Sequence, residues 1–291
     1  MVGVHTRAKF KAERAAGAGG AFVTGIDLAR ALDADEVAGL RAALDEHLVA
    51  YLPDQTIALD DLERLTEQLG GRAVTPFVKP LADRPFVIRV LKEKHETLNF
   101  ANAWHTDLSY LAEPPSYTIL YCVEAPPHGG DTIWANQYMA YETLSAGLKE
   151  SLRGLDAVHS AGMAYGTGMY LDQVKHKMST AIEPSKDAFK EHAHPVATAH
   201  PATGKAALFV NPVYTTRIAE WSNAESQGLL QYLYRHATNE NFTFRLRWKK
   251  GTLAIWDNRC TQHFAMNDYH GYRRDMLRTS VKGSAPARAA A

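Results

Sequence analysis

Cysteine is nearly absent from this sequence: 291 residues carry two, Cys122 and Cys260. They form no CxxC pattern, which argues against a disulfide framework or a Cys-type zinc site and fits a reducing compartment, the cytoplasm. Net charge is absent as well. Lys+Arg and Asp+Glu both number 32, so no overall field draws nucleic acid or an anionic membrane, and neither is expected as a partner. No run approaches the ~18 consecutive apolar residues that a bilayer span needs. Residues 1–20 are basic but lack an apolar stretch of signal-peptide length, and read as a flexible N-terminal arm. Internal repeats and low-complexity tracts are also missing. What is present is ordinary for a globular protein, 46% apolar and 22% charged residues, in a chain long enough for one sizeable core.

Strand signals dominate the chain. Short apolar or alternating runs at 22–28, 49–52, 86–91, 116–123, 132–135, 207–210, 242–248, 252–256 and 274–281 predict β-strands, many bounded by Gly, Pro, Asn or Asp. Helical spacing predicts a helix over 36–48, through Val37, Leu40, Ala43, Leu44 and His47, with Asp33 or Asp35 as its cap. Further helices are expected from Asp60 to Leu69, closed by Gly70-Gly71, and at 140–152 and 224–236. Many short strands with covering helices favour a mainly β fold, a double-sheet jelly roll of the cupin type, over a βαβ sheet. Segment 162–194 is polar and without periodicity. So long a connection inside one domain reads as a lid or binding loop. Residues 283–291 read as a loose C-terminal tail, and the whole of 1–291 as a single catalytic domain.

The most informative stretch is 256–278, WDNRCTQHFAMNDYHGYRRDMLR. His263 lies between two short strand-like runs. In the strand after it, Arg274, Met276 and Arg278 share one face, with Asp275 and Leu277 opposite. Two guanidiniums aimed into one cavity beside a histidine suit an anion, such as a carboxylate, next to a metal. Among 13 histidines, only His105 belongs to a His-x-Asp pair, His105-Thr106-Asp107. At strand spacing that imidazole and that carboxylate can grip one ion. With His263 they make two histidines and one carboxylate, the ligand set of non-heme Fe(II) oxygenases, which leaves coordination positions open. A catalytic zinc with three protein ligands is the competing chemistry. His192 and His194 also stand two apart, but Pro195 follows in a polar loop. His200 precedes a proline and reads as structural, and His270 sits in an exposed turn.

At this point the chain resembles a known family, the Fe(II)- and 2-oxoglutarate-dependent dioxygenases of the taurine dioxygenase and phenoxyalkanoate-herbicide dioxygenase type. The carrying residues are WHTD at 104–107, HGGDTIWAN at 128–136, HPATGKAALFVN at 200–211 with YTTRI at 214–218, and WDNRCTQHFAMNDY at 256–269 followed by RRDMLR. The resemblance implies a double-stranded β-helix core. It implies His105, Asp107 and His263 as Fe(II) ligands, and Thr132 and Arg274 as contacts to the distal carboxylate of 2-oxoglutarate. Arg278 is implied near the metal-binding end of that cosubstrate and near the anionic group of the prime substrate. The implied reaction uses O2, converts 2-oxoglutarate to succinate and CO2, and hydroxylates a C–H beside a heteroatom leaving group. A homo-oligomer, dimer or tetramer, is also implied.

The chain departs from the taurine-specific pattern. Thr75 stands where those members place a histidine, and Ala101 where they carry an asparagine. Thr75, Phe77, Asn102, Leu108, Tyr110 and Tyr214 then form a more apolar pocket with Arg278 at its end. That suits a small organic anion with an apolar body, such as an alkylsulfonate, sulfate ester or aryloxyalkanoate. Met163, Tyr165, Met169 or Tyr170 of the lid are its expected cover. Two other readings remain: a cupin-type metal- or ligand-binding protein without turnover, and a zinc hydrolase.

Overall fold

Leu253–Asp257 and Arg274–Val281 are buried almost throughout because both faces of their sheet are covered. The computed structural model describes residues 10–290. Side-chain alternation in these strands divides two cores. Leu253, Ile255, Ile119 and Leu277 face a cluster built with Leu40, Leu44, Leu62 and Leu65 of two helices, Ala34–His47 and Leu59–Gln68. Ala254, Trp256, Leu120, Cys122 and Met276 face the opposite way, onto Trp134, Phe244 and Leu246.

The large sheet runs in the order Lys11–Ala16, Gly19–Thr24, Val49–Leu52, Leu253–Asp257, Tyr117–Glu124, Arg274–Val281, Arg84–Lys92, Pro80–Leu81, with Arg72–Ala73 also on Arg274–Val281. All its pairings are antiparallel except that of Gly19–Thr24 with Val49–Leu52. The facing sheet is Thr243–Leu246, Thr132–Asn136 and Thr261–Ala265. Trp134 and Trp256, 5.7 Å between ring centroids, fill the space between the two. Two three-stranded sheets and the helix Asn223–Ala237 close the far end over Leu208, Val210, Leu230 and Leu233. The fold is the expected cupin-like jelly roll.

Several local expectations are corrected. The arm over 1–20 is not loose where it is described: Lys11–Ala16 pairs with Gly19–Thr24 as an edge strand, and residues 1–9 lie outside the described residues. The tail over 283–291 is not loose throughout, since Ala287–Arg288 pairs with Ala197–Ala199 and Arg288 bonds Asp156 at 2.7 Å. Segment 162–194 is no open loop. It folds into the short helices Gly162–Tyr165 and Tyr170–Val174, two 3-10 turns, and the strand Glu191–Pro195 against Asp156–Ser160. That strand takes in His192 and His194. The expected helix over 140–152 divides into Gln137–Glu142 and Ala146–Leu152, because Ser145 caps the second with its hydroxyl. The helix expected from Asp60 begins at Leu59, with the Asp61 carboxylate taking the Ala58 N–H.

Candidate active site

His105 lies just outside the regular strands, yet its backbone is tied to His263 by a two-residue bridge. His105 N–H donates to His263 C=O at 3.1 Å, and His263 N–H donates to His105 C=O at 2.8 Å. His263 itself sits in Thr261–Ala265, opposite Trp134 of the neighbouring strand. The bridge brings the rings to 4.2 Å between centroids. His105 Nδ1 is 2.7 Å from Ala103 C=O, so that nitrogen carries the proton and Nε2 presents a bare lone pair. Asp107 Oδ1 lies 3.5 Å from His105 Nε2 and 3.9 Å from His263 Nε2.

These three residues are buried, and their ligand atoms lie within 4.8 Å of one another. Cis ligands about 2.1 Å from one ion sit about 3 Å apart, so each imidazole–carboxylate pair fits an ion after a contraction of about 1 Å or less. The protonation states suit the same role. Burial, with the neighbouring His105 second, pushes His263 down to about 3, leaving it neutral. Burial opposes the charge of Asp107, but Arg278, His263 and His105 outweigh it and hold the carboxyl well below its usual range. Its other oxygen accepts from Thr118 Oγ1 at 2.8 Å, and Asn258 Nδ2 donates to that hydroxyl at 3.0 Å. The carboxylate is therefore oriented from behind. His263 Nδ1 is buried without a partner.

Two cavities meet at this triad. One is bordered by Thr132, Trp256, His263, Arg274 and Arg278. Arg274 is 5% exposed. Its Nε donates to Gly130 C=O at 3.1 Å, and among the described residues no carboxylate forms an ion pair with it. Burial lowers its pKa. Thr132 Oγ1 accepts from Trp248 Nε1 at 2.9 Å, which leaves the hydroxyl proton to donate. A buried cation without a counterion next to a hydroxyl donor is a receptor for a carboxylate. The donor set thus fits both a ferrous ion and a keto-acid.

The second cavity, about 170 Å³, is lined by Thr75, Asn102, His105, Asp107, Leu108, Tyr214 and Arg278. All but the two metal-ligand candidates are expected pocket residues. Phe77 and Tyr110 stand behind this lining, with Tyr110 packed on Tyr214 at 4.9 Å and Phe77 on Tyr110 at 5.8 Å. Of the expected cover, Tyr165 and Tyr170 reach the cavity. Met163 is 65% exposed on the outer surface, and Met169 is not among the lining residues. Unanticipated lining residues include Leu98, Phe100, Ala164, Leu171, Met178 and Val213. Three non-glycine residues around it have left-handed backbones, Phe77 at φ 65°, Ala101 at 69° and Leu108 at 51°. Strain of this kind persists only where surrounding structure enforces it. His200 is buried and bonds Asp257 at 3.0 Å, and His194 is buried against Leu111 C=O at 2.9 Å. His270 is exposed.

A family model described as taurine catabolism dioxygenase TauD, TfdA family, matches residues 9–280. An α-ketoglutarate-dependent sulfate ester dioxygenase of Pseudomonas putida is 36% identical over 93% of this chain and 89% of its own length. An alkylsulfatase of Acinetobacter baylyi is 34% identical over 91% of this chain and 82% of its own. Among solved structures, a taurine dioxygenase from Burkholderia xenovorans superposes with a TM-score of 0.79 at 31% identity, covering 96% of this chain and 92% of the other.

Proposed function

The chain belongs to the taurine catabolism dioxygenase TauD/TfdA family and is a 2-oxoglutarate-dependent non-heme iron dioxygenase; from that premise we propose that its prime substrate is a sulfate ester or related organic anion with an apolar body. His105, Asp107 and His263 hold the Fe(II). Arg274 and Thr132 hold the far carboxylate of 2-oxoglutarate, and Arg278 faces the anionic group of the prime substrate. The observation that carries this reading is the convergence of the His105–Asp107–His263 triad with two cavities, one ending at Arg274 and one containing Arg278.

Bound together, iron, 2-oxoglutarate and O2 supply removal of a hydrogen atom from a C–H and hydroxylation of that carbon, with succinate and CO2 as co-products. The protein's part is placement. The Arg274 guanidinium and Thr132 hydroxyl fix the cosubstrate's far end. Thr118 and Asn258 hold the Asp107 carboxylate in one orientation. Leu98, Leu171, Met178 and Val213 exclude water from the substrate's apolar body. A carbon hydroxylated beside a sulfate, sulfonate or aryl ether oxygen collapses to an aldehyde or ketone and releases the leaving group.

Medium-chain alkyl sulfates are the first substrates to test. Iron- and O2-dependent succinate release is expected with them, and it is abolished in His105→Ala. Full turnover by that variant, or turnover without 2-oxoglutarate, would refute the proposal. The two free, buried thiols suit a reducing compartment, the cytoplasm. A homo-oligomeric state, dimer or tetramer, accords with the family resemblance, and light scattering reads it directly. No helix among the described residues is long and apolar enough to cross a membrane.

A further inference from the structure

Lys92 carries a charge where folding alone gives no reason for one. It is 3% exposed. Its Nζ is buried without a hydrogen-bond partner, and among the described residues no carboxylate forms an ion pair with it. Glu96 lies within electrostatic reach, but its two oxygens accept from the Glu93 N–H at 2.7 Å and the Ser179 hydroxyl at 2.8 Å. The ammonium stands over the Tyr269 ring, 4.6 Å from its centroid. A cation–π contact offsets only part of the cost of burying a charge, and lysines are almost never fully buried unless paired.

The strand register says what this charge faces. Lys92 is the direct partner of Arg274 on the neighbouring strand, as Val90 is of Met276. Directly paired residues project on one face of a sheet, with Cβ atoms about 5 Å apart. Val90, two residues back on that face, borders the small cavity that ends at Arg274. Tyr269 links the two cations. Its ring carbon Cδ1 and Arg274 Cδ both lie 3.2 Å from the point where a Cβ on Gly130 would stand. Arg278, the third cation of this cavity, already pairs with Asp107 at 3.0 Å. Lys92 and Arg274 have no such counterion. Two buried like charges side by side repel, and a carboxylate in the cavity relieves both.

We propose that Lys92 is a positioning residue for the cosubstrate: its ammonium, held on the Tyr269 ring beside Arg274, adds a second positive charge to the field that draws and orients the far carboxylate of 2-oxoglutarate. The inference rests on the assignment of Arg274 to that carboxylate. Lys92 does not border the cavity, so it acts through its charge and through Tyr269, not by contact. A unit charge several ångströms from a carboxylate, screened as inside a protein, changes affinity by about 10-fold. The fold bears the cost of keeping that charge buried, an exchange of stability for function.

The test is calorimetric titration of the Fe(II)-loaded enzyme, without O2, with 2-oxoglutarate and with 2-oxopentanoate, which has the same chain but no far carboxylate. Wild type should prefer 2-oxoglutarate at least about 10-fold. Lys92→Met should weaken 2-oxoglutarate about 10-fold and 2-oxopentanoate less than about 2-fold. Lys92→Gln, a second neutral variant, should repeat that selective loss, and Lys92→Arg should stay within about 3-fold of wild type. The Lys92→Met apoprotein should melt at or above the wild-type temperature, since an unpaired buried charge is gone. Equal weakening of both oxo acids in the neutral variants, or unchanged 2-oxoglutarate binding, overturns the proposal and leaves Lys92 a packing residue. A wild-type enzyme with no preference for 2-oxoglutarate would sink the cosubstrate assignment and this inference with it. A wild-type preference that the neutral variants retain sinks the inference alone.

Discussion

His105 and His263 hold each other through reciprocal main-chain hydrogen bonds of 3.1 and 2.8 Å, although they come from opposite halves of the chain. The metal pocket is therefore braced by backbone, and loss of one imidazole does not unlock it. His105→Ala should lose iron binding and at least about 1000-fold of turnover while the apoprotein's melting temperature moves by only a few degrees. Asp107→Ala should differ, because it strips a buried guanidinium of its carboxylate. That type of change costs about 3–5 kcal/mol. Iron stoichiometry and thermal denaturation of the two apoproteins check this pair. Equal destabilisation would count against the braced pocket.

The two arginines on one face of Arg274–Val281 should fail in different ways. Arg274 donates to the Gly130 carbonyl and lies over the Trp248 ring at 5.7 Å, and among the described residues no carboxylate pairs with it, so the partner expected for it is the keto-acid carboxylate. Arg274→Ala should raise the KM for 2-oxoglutarate by roughly 30-fold or more, the equivalent of 2–5 kcal/mol for a buried charged pair. Arg278→Ala should raise the prime-substrate KM far more than the cosubstrate KM. Steady-state kinetics with each reactant varied in turn decides the matter, and equal damage to both KM values in both variants would remove the division of labour.

Gly130 makes the Arg274 position possible. Its φ is +68°, and an added Cβ would stand 3.2 Å from Arg274 Cδ and 3.2 Å from the Tyr269 ring. Its carbonyl also accepts from Arg274 Nε. Gly130→Ala should therefore cost roughly 1–2 kcal/mol of stability, from the left-handed backbone, and raise the 2-oxoglutarate KM several-fold by displacing the guanidinium. Urea denaturation and cosubstrate titration read the two effects. An unchanged KM at reduced stability would show that the contact is purely structural.

Much of this site was legible in the sequence because its chemistry follows strand periodicity. The shared face of Arg274, Met276 and Arg278 is a period-two pattern, and the His105-x-Asp107 spacing is distinctive among 13 histidines. What escaped was tertiary. Nothing local marks Trp248 as the donor to Thr132, or Thr118 and Asn258 as the pair that orients Asp107. Phe77, Ala101 and Leu108 take left-handed conformations that glycine would have advertised. Lys11–Ala16 is almost wholly exposed and mixes charged residues with alanine, so no hydrophobic alternation announced it; backbone pairing to Gly19–Thr24 makes it a strand. Glu191–Pro195 was hidden in the same way, its polar residues masking a strand that leans on Asp156–Ser160.

His159 gives the chain an acid sensitivity of its own, away from the metal ligands. Its ring is fully buried, with Nδ1 3.1 Å from Ser109 Oγ and Nε2 3.4 Å from Thr215 Oγ1. The His194 ring lies 5.3 Å away between centroids, with Phe209 stacked at 5.6 Å. Burial, with His194 second, pushes His159 down to about 3, and burial lowers His194 as well. The folded state keeps His159 neutral while the unfolded chain takes up a proton below about pH 6.5. Stability is therefore present above that pH and is lost as pH falls from about 6.5 toward about 3. For His159 alone the loss between pH 7 and pH 5 is about 2 kcal/mol, and His194 adds in the same direction. His159→Gln cannot titrate, so its stability should fall by about 2 kcal/mol less than wild type's over that interval. Urea unfolding at the two pH values measures the difference, and parallel losses in both proteins would mean that this imidazole is not held neutral by the fold.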